Sequence, residues 1–189
     1  MAPKFVFLSK NISIYNTILE KYLVGIVLSE KDSDVLVQFS CLEKPISLNK
    51  KNVHFFDPTK TGDAFDKKVC NVCCKLLDTS LFSKNQNGKN NRSVRRPSCD
   101  NCRKVIDGVS MSASEKNKWN KIKPNMEIFE CPICRKKTIP GLTSKVVLDH
   151  DHKTGKGRAW ICDSCNTGLG RFKDDIELLE SAIQYLKKG

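Results

Sequence analysis

Long apolar runs are missing from this chain. In 189 residues the longest nearly apolar stretch is Tyr22 to Leu28, far below the roughly 20 residues that a bilayer-spanning helix needs. A signal-peptide pattern is missing too, because Phe5 to Leu8 is too short for its apolar region and no small-residue cleavage site follows. Membrane insertion and secretion are therefore excluded, and a cytoplasmic protein is expected. Acidic residues are in deficit, 21 against 33 Lys and Arg, for a formal charge of +12. Such an excess says little about fold but points to a polyanionic partner, nucleic acid first. No basic stretch is backed by a long apolar face, so a membrane surface is not the expected partner. Histidine is scarce, with three in the chain.

What the chain does have is ten cysteines. Without secretion they call for an explanation other than disulfides. Eight of them form four Cys-x-x-Cys pairs: Cys70/Cys73, Cys99/Cys102, Cys131/Cys134 and Cys162/Cys165. A two-residue loop lets both thiolates face one ion, and two such knuckles close a tetrahedral sulfur shell round Zn2+. Two structural zinc ions per chain are expected. The first two pairs map onto the last two with offsets of 61 and 63 residues. The stretches 65–125 and 126–189 thus read as two copies of one zinc module. A module of this size buries only about 60% of its unfolded surface and is marginal alone. A bound zinc ion, worth on the order of 10 kcal/mol in small domains, makes it workable. Cys74, beside Cys73, is read as a bystander, and Cys41 as a small core hydrophobe.

Residues 1–64 carry no paired cysteines. Tyr22 to Leu28 reads as a strand, Lys31 to Asp34 as a turn, and Val35 to Phe39 as a second strand. Two further apolar stretches, Pro45 to Leu48 and Asn52 to Phe56, complete a small antiparallel barrel or sheet, with His54 as a structural residue. The expected fold is α+β: a small antiparallel β-barrel followed by two zinc-bound β/α modules.

Chemistry concentrates in the second module. Val146 to His152 is an apolar run ending in Asp149-His150-Asp151-His152; Lys153 to Lys156 is a Gly-containing turn; Gly157 to Ile161 returns to Cys162. The period of two places His152 on the strand face of His150. After Cys165 a short helix is expected to carry Asn166. This pattern resembles the ββα-metal (His-Me finger, HNH) nucleases, most closely their endonuclease VII branch. The residues that carry the resemblance are Cys131, Cys134, Leu148 to His152, Thr154 to Lys156, Arg158, Cys162, Cys165, Asn166, Leu169 and Gly170. It extends into a final helix with an apolar stripe of Ile176, Leu179, Ile183 and Leu186 after Asp174 and Asp175. The resemblance implies a bacterial or phage-encoded enzyme, with the His as base and the preceding Asp and the helix Asn as metal ligands.

The residue chemistry agrees. Phosphodiester hydrolysis needs an activated water, a Lewis acid on the phosphate and stabilisation of the leaving oxygen. An imidazole, titrating at about 6.5 when unperturbed, suits a general base at cellular pH, which assigns that role to His150. Asp149 and Asn166 offer hard oxygens to Mg2+ and leave positions for water and phosphate. His152, Lys153, Lys156 and Arg158 are candidates for DNA contact.

The first module lacks this equipment. No His lies between Cys73 and Cys99, and Arg103 stands where the second module has Asn166. From Lys84 to Lys104 there are seven basic residues and one acid. Arg92, Arg95, Arg96 and Arg103 are candidates for phosphate or base-edge contact. The first module is expected to recognise rather than cut.

The expected activity is that of a type II restriction endonuclease acting on double-stranded DNA. One active site per chain cuts one strand, so a homodimer on a palindromic or pseudopalindromic site follows by symmetry. Leu169 and Gly170 stand where resolvase-like members usually carry an acid, and little chain follows Leu186 for a long dimerising segment. A Holliday-junction resolvase or a nicking or homing endonuclease is the first alternative. A non-catalytic zinc protein that binds nucleic acid is the second.

Overall fold

Alternating apolar residues build the first part of the chain, described here from a computed structural model over residues 3–14, 16–87 and 93–188. The strands are β1 (Lys4–Leu8), β2 (Ile12–Ile14), β3 (Thr17–Leu19), β4 (Val24–Glu30), β5 (Asp34–Phe39), β6 (Ile46–Asn49) and β7 (Val53–Phe56). Among the described residues, five of them form an antiparallel sheet in the order β6-β5-β4-β1-β7. In β5 every second residue, Val35, Val37 and Phe39, is fully buried, as a half-buried strand requires. They meet Val6, Leu8, Leu48 and Val53 from the same sheet and Leu19 from the small β2–β3 hairpin. Each such side chain contributes roughly 1.5–3 kcal/mol of burial.

Two local expectations change. Phe5 to Leu8, weighed in the sequence only as a short apolar run, is the sheet's fourth strand in spatial order, paired with both β4 and β7. A run of three or four apolar residues has too little length to declare its partners, which lie far along the chain. Cys41 is exposed, not a core residue: β5 ends at Phe39, so Cys41 falls in the following turn, outside the strand's alternation.

The chain divides into two compact units, residues 1–103 and 104–189. The first unit continues through β8 (Lys67–Val69), β9 (Leu76–Asp78), β10 (Lys84–Asn87) and β11 (Ser93–Arg95) to helix α1 (Asp100–Asp107), which runs across the boundary. The second holds α2 (Ala113–Asn120), β12 (Phe129–Glu130), β13 (Lys137–Thr138), β14 (Val146–His150), β15 (Gly157–Cys162), α3 (Asp163–Arg171) and α4 (Ile176–Leu186). Helices α2 and α3 both pack against β15, and α3 also against β14. The stripe on α4 is largely uncovered: Ile176, Ile183 and Leu186 are exposed. Among the described residues no helix is long and apolar enough to cross a membrane.

Candidate active site and metal centres

The cysteine knuckles repeat at the level of single hydrogen bonds. Cys70 N–H donates to Lys75 O at 3.0 Å, and Cys131 N–H to Lys136 O at 3.0 Å. Cys74 N–H closes onto Cys70 O at 3.0 Å, and Arg135 N–H onto Cys131 O at 2.9 Å. Cys74 and Arg135, each following the second cysteine of its pair, share a left-handed backbone with φ of 54° and 61°. Cys74 is thus a turn residue, and it lies outside the thiol cluster.

Cys70, Cys73, Cys99 and Cys102 place their sulfurs within 4.8 Å of one another, as do Cys131, Cys134, Cys162 and Cys165. Each group could hold one metal ion. Their electrostatics favour that use. Burial opposes ionisation of Cys131, but backbone N–H groups of Cys162, Cys134 and Ile133 outweigh it and bring its pKa to about 6. Cys70 is brought to about 7 in the same way, against burial, by the N–H groups of Cys99, Cys73 and Val72. Burial and the crowded neighbouring thiols push Cys102 and Cys165 upward. One thiolate forms readily in each cluster, and a bound cation would offset the unfavourable ionisation of Cys102 and Cys165.

The hairpin of β14 and β15 carries Asp149 and His150. Its register is regular from Val146 opposite Cys162 to Asp149 opposite Ala159, then shifts so that His150 faces Gly157. The irregularity between Asp149 and His150 breaks the alternation that would send consecutive side chains to opposite faces. Asp149 is buried, only 6% exposed, while His150 and Asn166 are half-buried. Asn166 rides on α3, which opens directly behind Cys162.

A buried carboxylate needs compensation. Arg158 supplies it across the hairpin, with Nε 2.8 Å from Asp149 Oδ2 and Nη2 3.2 Å from Oδ1. The same Nη2 donates to His150 O at 3.0 Å. Arg158, expected to touch DNA, is thus engaged within the hairpin. His152 lies beyond the end of β14, so the two-residue period does not place it. Asp151 instead opens a tight turn, its Oδ1 accepting from Lys153 N–H at 2.7 Å and Thr154 N–H at 2.9 Å. The turn nevertheless returns the His152 ring to 4.9 Å from that of His150. His152 Nδ1 sits 3.1 Å from Ile106 O. Lys153 and Lys156 are exposed on the turn.

Three features of the site escaped the sequence. A strap ahead of the second knuckle clasps the hairpin: Val109 N–H donates to His152 O at 2.7 Å, and Trp160 Nε1 to Trp119 O at 3.2 Å. Gly108, with φ of +59°, is required there, since a Cβ would fall 2.1 Å from His152 O. Glu115 joins the strap, its Oε1 accepting from Trp119 Nε1 at 2.9 Å and Gly157 N–H at 3.2 Å. Asp174 reaches both Arg158 and His152. The Ser112-x-x-Glu115 spacing signals a helix start, and Ser112 does cap α2. Nothing local in the sequence announces that Glu115 reaches Gly157.

In the first unit, Lys84 pairs with Arg95 and Asn87 with Ser93 in the β10–β11 hairpin. Arg92 lies outside the described residues. Arg95 is tied down, its Nη1 donating to Phe82 O at 2.7 Å. Arg103 is half-buried, and burial together with the charge of Arg96 lowers its pKa.

Comparison with known proteins follows the same division. The family described as Recombination endonuclease VII matches residues 106–188, and the His-Me finger endonuclease beta4-alpha2 domain matches residues 57–108. Gene 59 protein of Mycobacterium phage D29 is 44% identical over 59 residues, 31% of this chain and 34% of that protein. Gene 59 protein of Mycobacterium phage L5 is 42% identical over 57 residues, 30% of this chain and 34% of that protein. This chain therefore matches about a third of the length of these phage relatives. The crystal structure of the beta-beta-alpha-Me type II restriction endonuclease Hpy99I aligns over 98% of this chain and 97% of its own, with 42% identity and a TM-score of 0.87.

Proposed function

Since this chain belongs to the ββα-Me (His-Me finger) endonucleases, metal-dependent enzymes that cut DNA, we propose that it is a type II restriction endonuclease hydrolysing double-stranded DNA at a defined sequence. The observation that carries this reading is a likeness to one such enzyme along nearly the whole of both chains, sheet and first cysteine cluster included. In this reading residues 126–189 cut and residues 65–125 recognise. Zn2+ fills both four-thiol clusters, as their all-sulfur donor sets favour.

Asp149 and Asn166 fit Mg2+ by donor chemistry, one carboxylate and one amide oxygen from two elements that pack together. An ion held there would polarise the scissile phosphate and stabilise the leaving oxygen. His150 takes the proton of the attacking water. The zinc cluster fixes the start of α3, and with it Asn166, relative to the hairpin. Arg96 and Arg103, close enough for one to depress the other's ionisation, suit a phosphate in the first module. A homodimer on a palindromic or pseudopalindromic site supplies the second cut.

The match of residues 106–188 to the Recombination endonuclease VII family supports a second reading, cleavage of branched DNA. Incubation of plasmid and of a four-way junction with protein and Mg2+, followed by end sequencing, separates the two. Discrete double-strand fragments with one terminal sequence support the restriction enzyme; selective junction cutting overturns it.

A further inference from the structure

Asp174 and Asp175 are consecutive acids with separate tasks. Asp175 caps α4, its Oδ1 accepting from Glu177 N–H at 2.9 Å and Leu178 N–H at 3.2 Å. Asp174 turns the other way. Its Oδ1 lies 3.3 Å from Arg158 Nη2 and its Oδ2 3.5 Å from His152 Nε2, with the side chain only 13% exposed. Holding it there takes an unusual backbone. Lys173 and Asp174 both have left-handed φ, 58° and 53°, fastened by N–H bonds to Gly170 O and Leu169 O at 3.1 Å each. Such strain in non-glycine residues persists where the surroundings demand it, often beside a functional site.

We propose that Asp174 is a positioning residue for cleavage, which shares the Arg158 guanidinium with Asp149 and so keeps the Asp149 carboxylate available to the divalent ion. This rests on the assignment of Asp149 as a metal ligand. The charges carry it. Asp149 and Asp174 together bring two negative charges to one guanidinium, leaving a surplus of one for the incoming cation. Asp151 acts on the same guanidinium only through space, its Oδ1 being engaged by Lys153 and Thr154 N–H. Without Asp174 the direct hold of Arg158 therefore falls on Asp149 alone, and the guanidinium competes with the ion for the same two oxygens. The second oxygen of Asp174 faces His152, whose other ring nitrogen meets Ile106 O, so one carboxylate braces both sides of the hairpin.

The test is Mn2+ affinity of the zinc-loaded full chain without DNA, read from free Mn2+ by electron paramagnetic resonance. Asp174→Asn keeps the shape and removes the charge; zinc content and melting temperature verify its fold. Affinity is expected to fall about 10-fold, the size typical of outer-sphere partners. In an Arg158→Gln background the same substitution is expected to change affinity far less, because the competitor is gone. Unchanged affinity in Asp174→Asn, or an equal loss in both backgrounds, overturns the proposal. Asp149→Asn is the control: if it alone abolishes Mn2+ binding while Asp174→Asn does nothing, only the role of Asp174 fails. If Asp149→Asn leaves binding intact, the metal site itself is wrongly assigned and both readings fall.

Discussion

Gly157 lies against the indole of Trp119 so closely that a Cβ at Gly157 would sit 2.1 Å from Trp119 Nε1. Its N–H is also spoken for, donating to Glu115 Oε1. Because Gly157 is the register partner of His150, this packing couples the strap to the proposed general base. Gly157→Ala must push the hairpin or α2 aside. A loss of about 1–3 kcal/mol is expected from overpacking, read as a lower melting temperature, with a fall in cleavage that exceeds the loss of folded protein. Wild-type stability in this variant would refute the close approach.

His150→Ala is expected to bind DNA and retain two zinc ions per chain while losing cleavage by a factor of roughly 10²–10⁴, the usual contribution of a general base. Full cutting by this variant in a plasmid assay rules out the assignment.

The clusters can be tested one at a time, since both tryptophans, Trp119 and Trp160, lie in the second unit. Cys131→Ser is expected to lower zinc from two ions per chain to one and to change tryptophan emission. Cys70→Ser is expected to lose the other ion with little change in emission. Elemental analysis beside fluorescence decides it, and two ions retained in either variant would contradict the four-thiol reading.

Acid should loosen the strap through Glu115. The hydrogen bond from Trp119 Nε1, then the Gly157 N–H, lower the pKa of this carboxyl. A folded-state pKa below the unfolded value of about 4.3 gives stability that is present above that pH and is lost as pH falls through the depressed value. Glu115→Gln removes this dependence. Urea unfolding followed by tryptophan fluorescence at successive pH values should therefore show a stability difference between wild type and variant that is constant above about pH 4.3 and shrinks as pH falls through the depressed value; a difference independent of pH would exclude the linkage.

Arg96→Ala and Arg103→Ala are expected to weaken DNA binding across all sequences and to reduce the salt slope by about one for each phosphate no longer neutralised. Arg95 is unsuited to this test, because its guanidinium is tied to Phe82 O and its loss would disturb the hairpin. Unaltered affinity and slope in the double variant would remove the first module's cations from the DNA interface.

The readable part of the site was the part encoded locally. Cys-x-x-Cys spacing fixes which sulfurs can converge, because the loop between them is two residues long. Asp149-His150 followed by a glycine turn and a returning strand defines a hairpin for the same reason. Asn166, immediately behind Cys165, inherits its place from the knuckle. Other positions depended on chain far away. Arg158 reads in the sequence as a cation for DNA, with no sign that it also holds the buried Asp149. Asp174 and Asp175 are indistinguishable as helix-start acids until one caps α4 and the other turns to Arg158. Lys4–Leu8 is short and unremarkable alone, and only β4 and β7 make it an interior strand.

The sequence by itself determined the Cys-x-x-Cys knuckles, the hairpin and the helix Asn, since each rests on neighbours a few residues apart, and the repeat of the knuckles indicated which pairs converge. The tertiary structure decided which charges are spent inside the protein and which remain for a partner. That choice turns on burial and on pairing between residues 9 to 25 positions apart, Asp149 with Arg158 and Asp149 with Asp174 through it, and no local pattern records it.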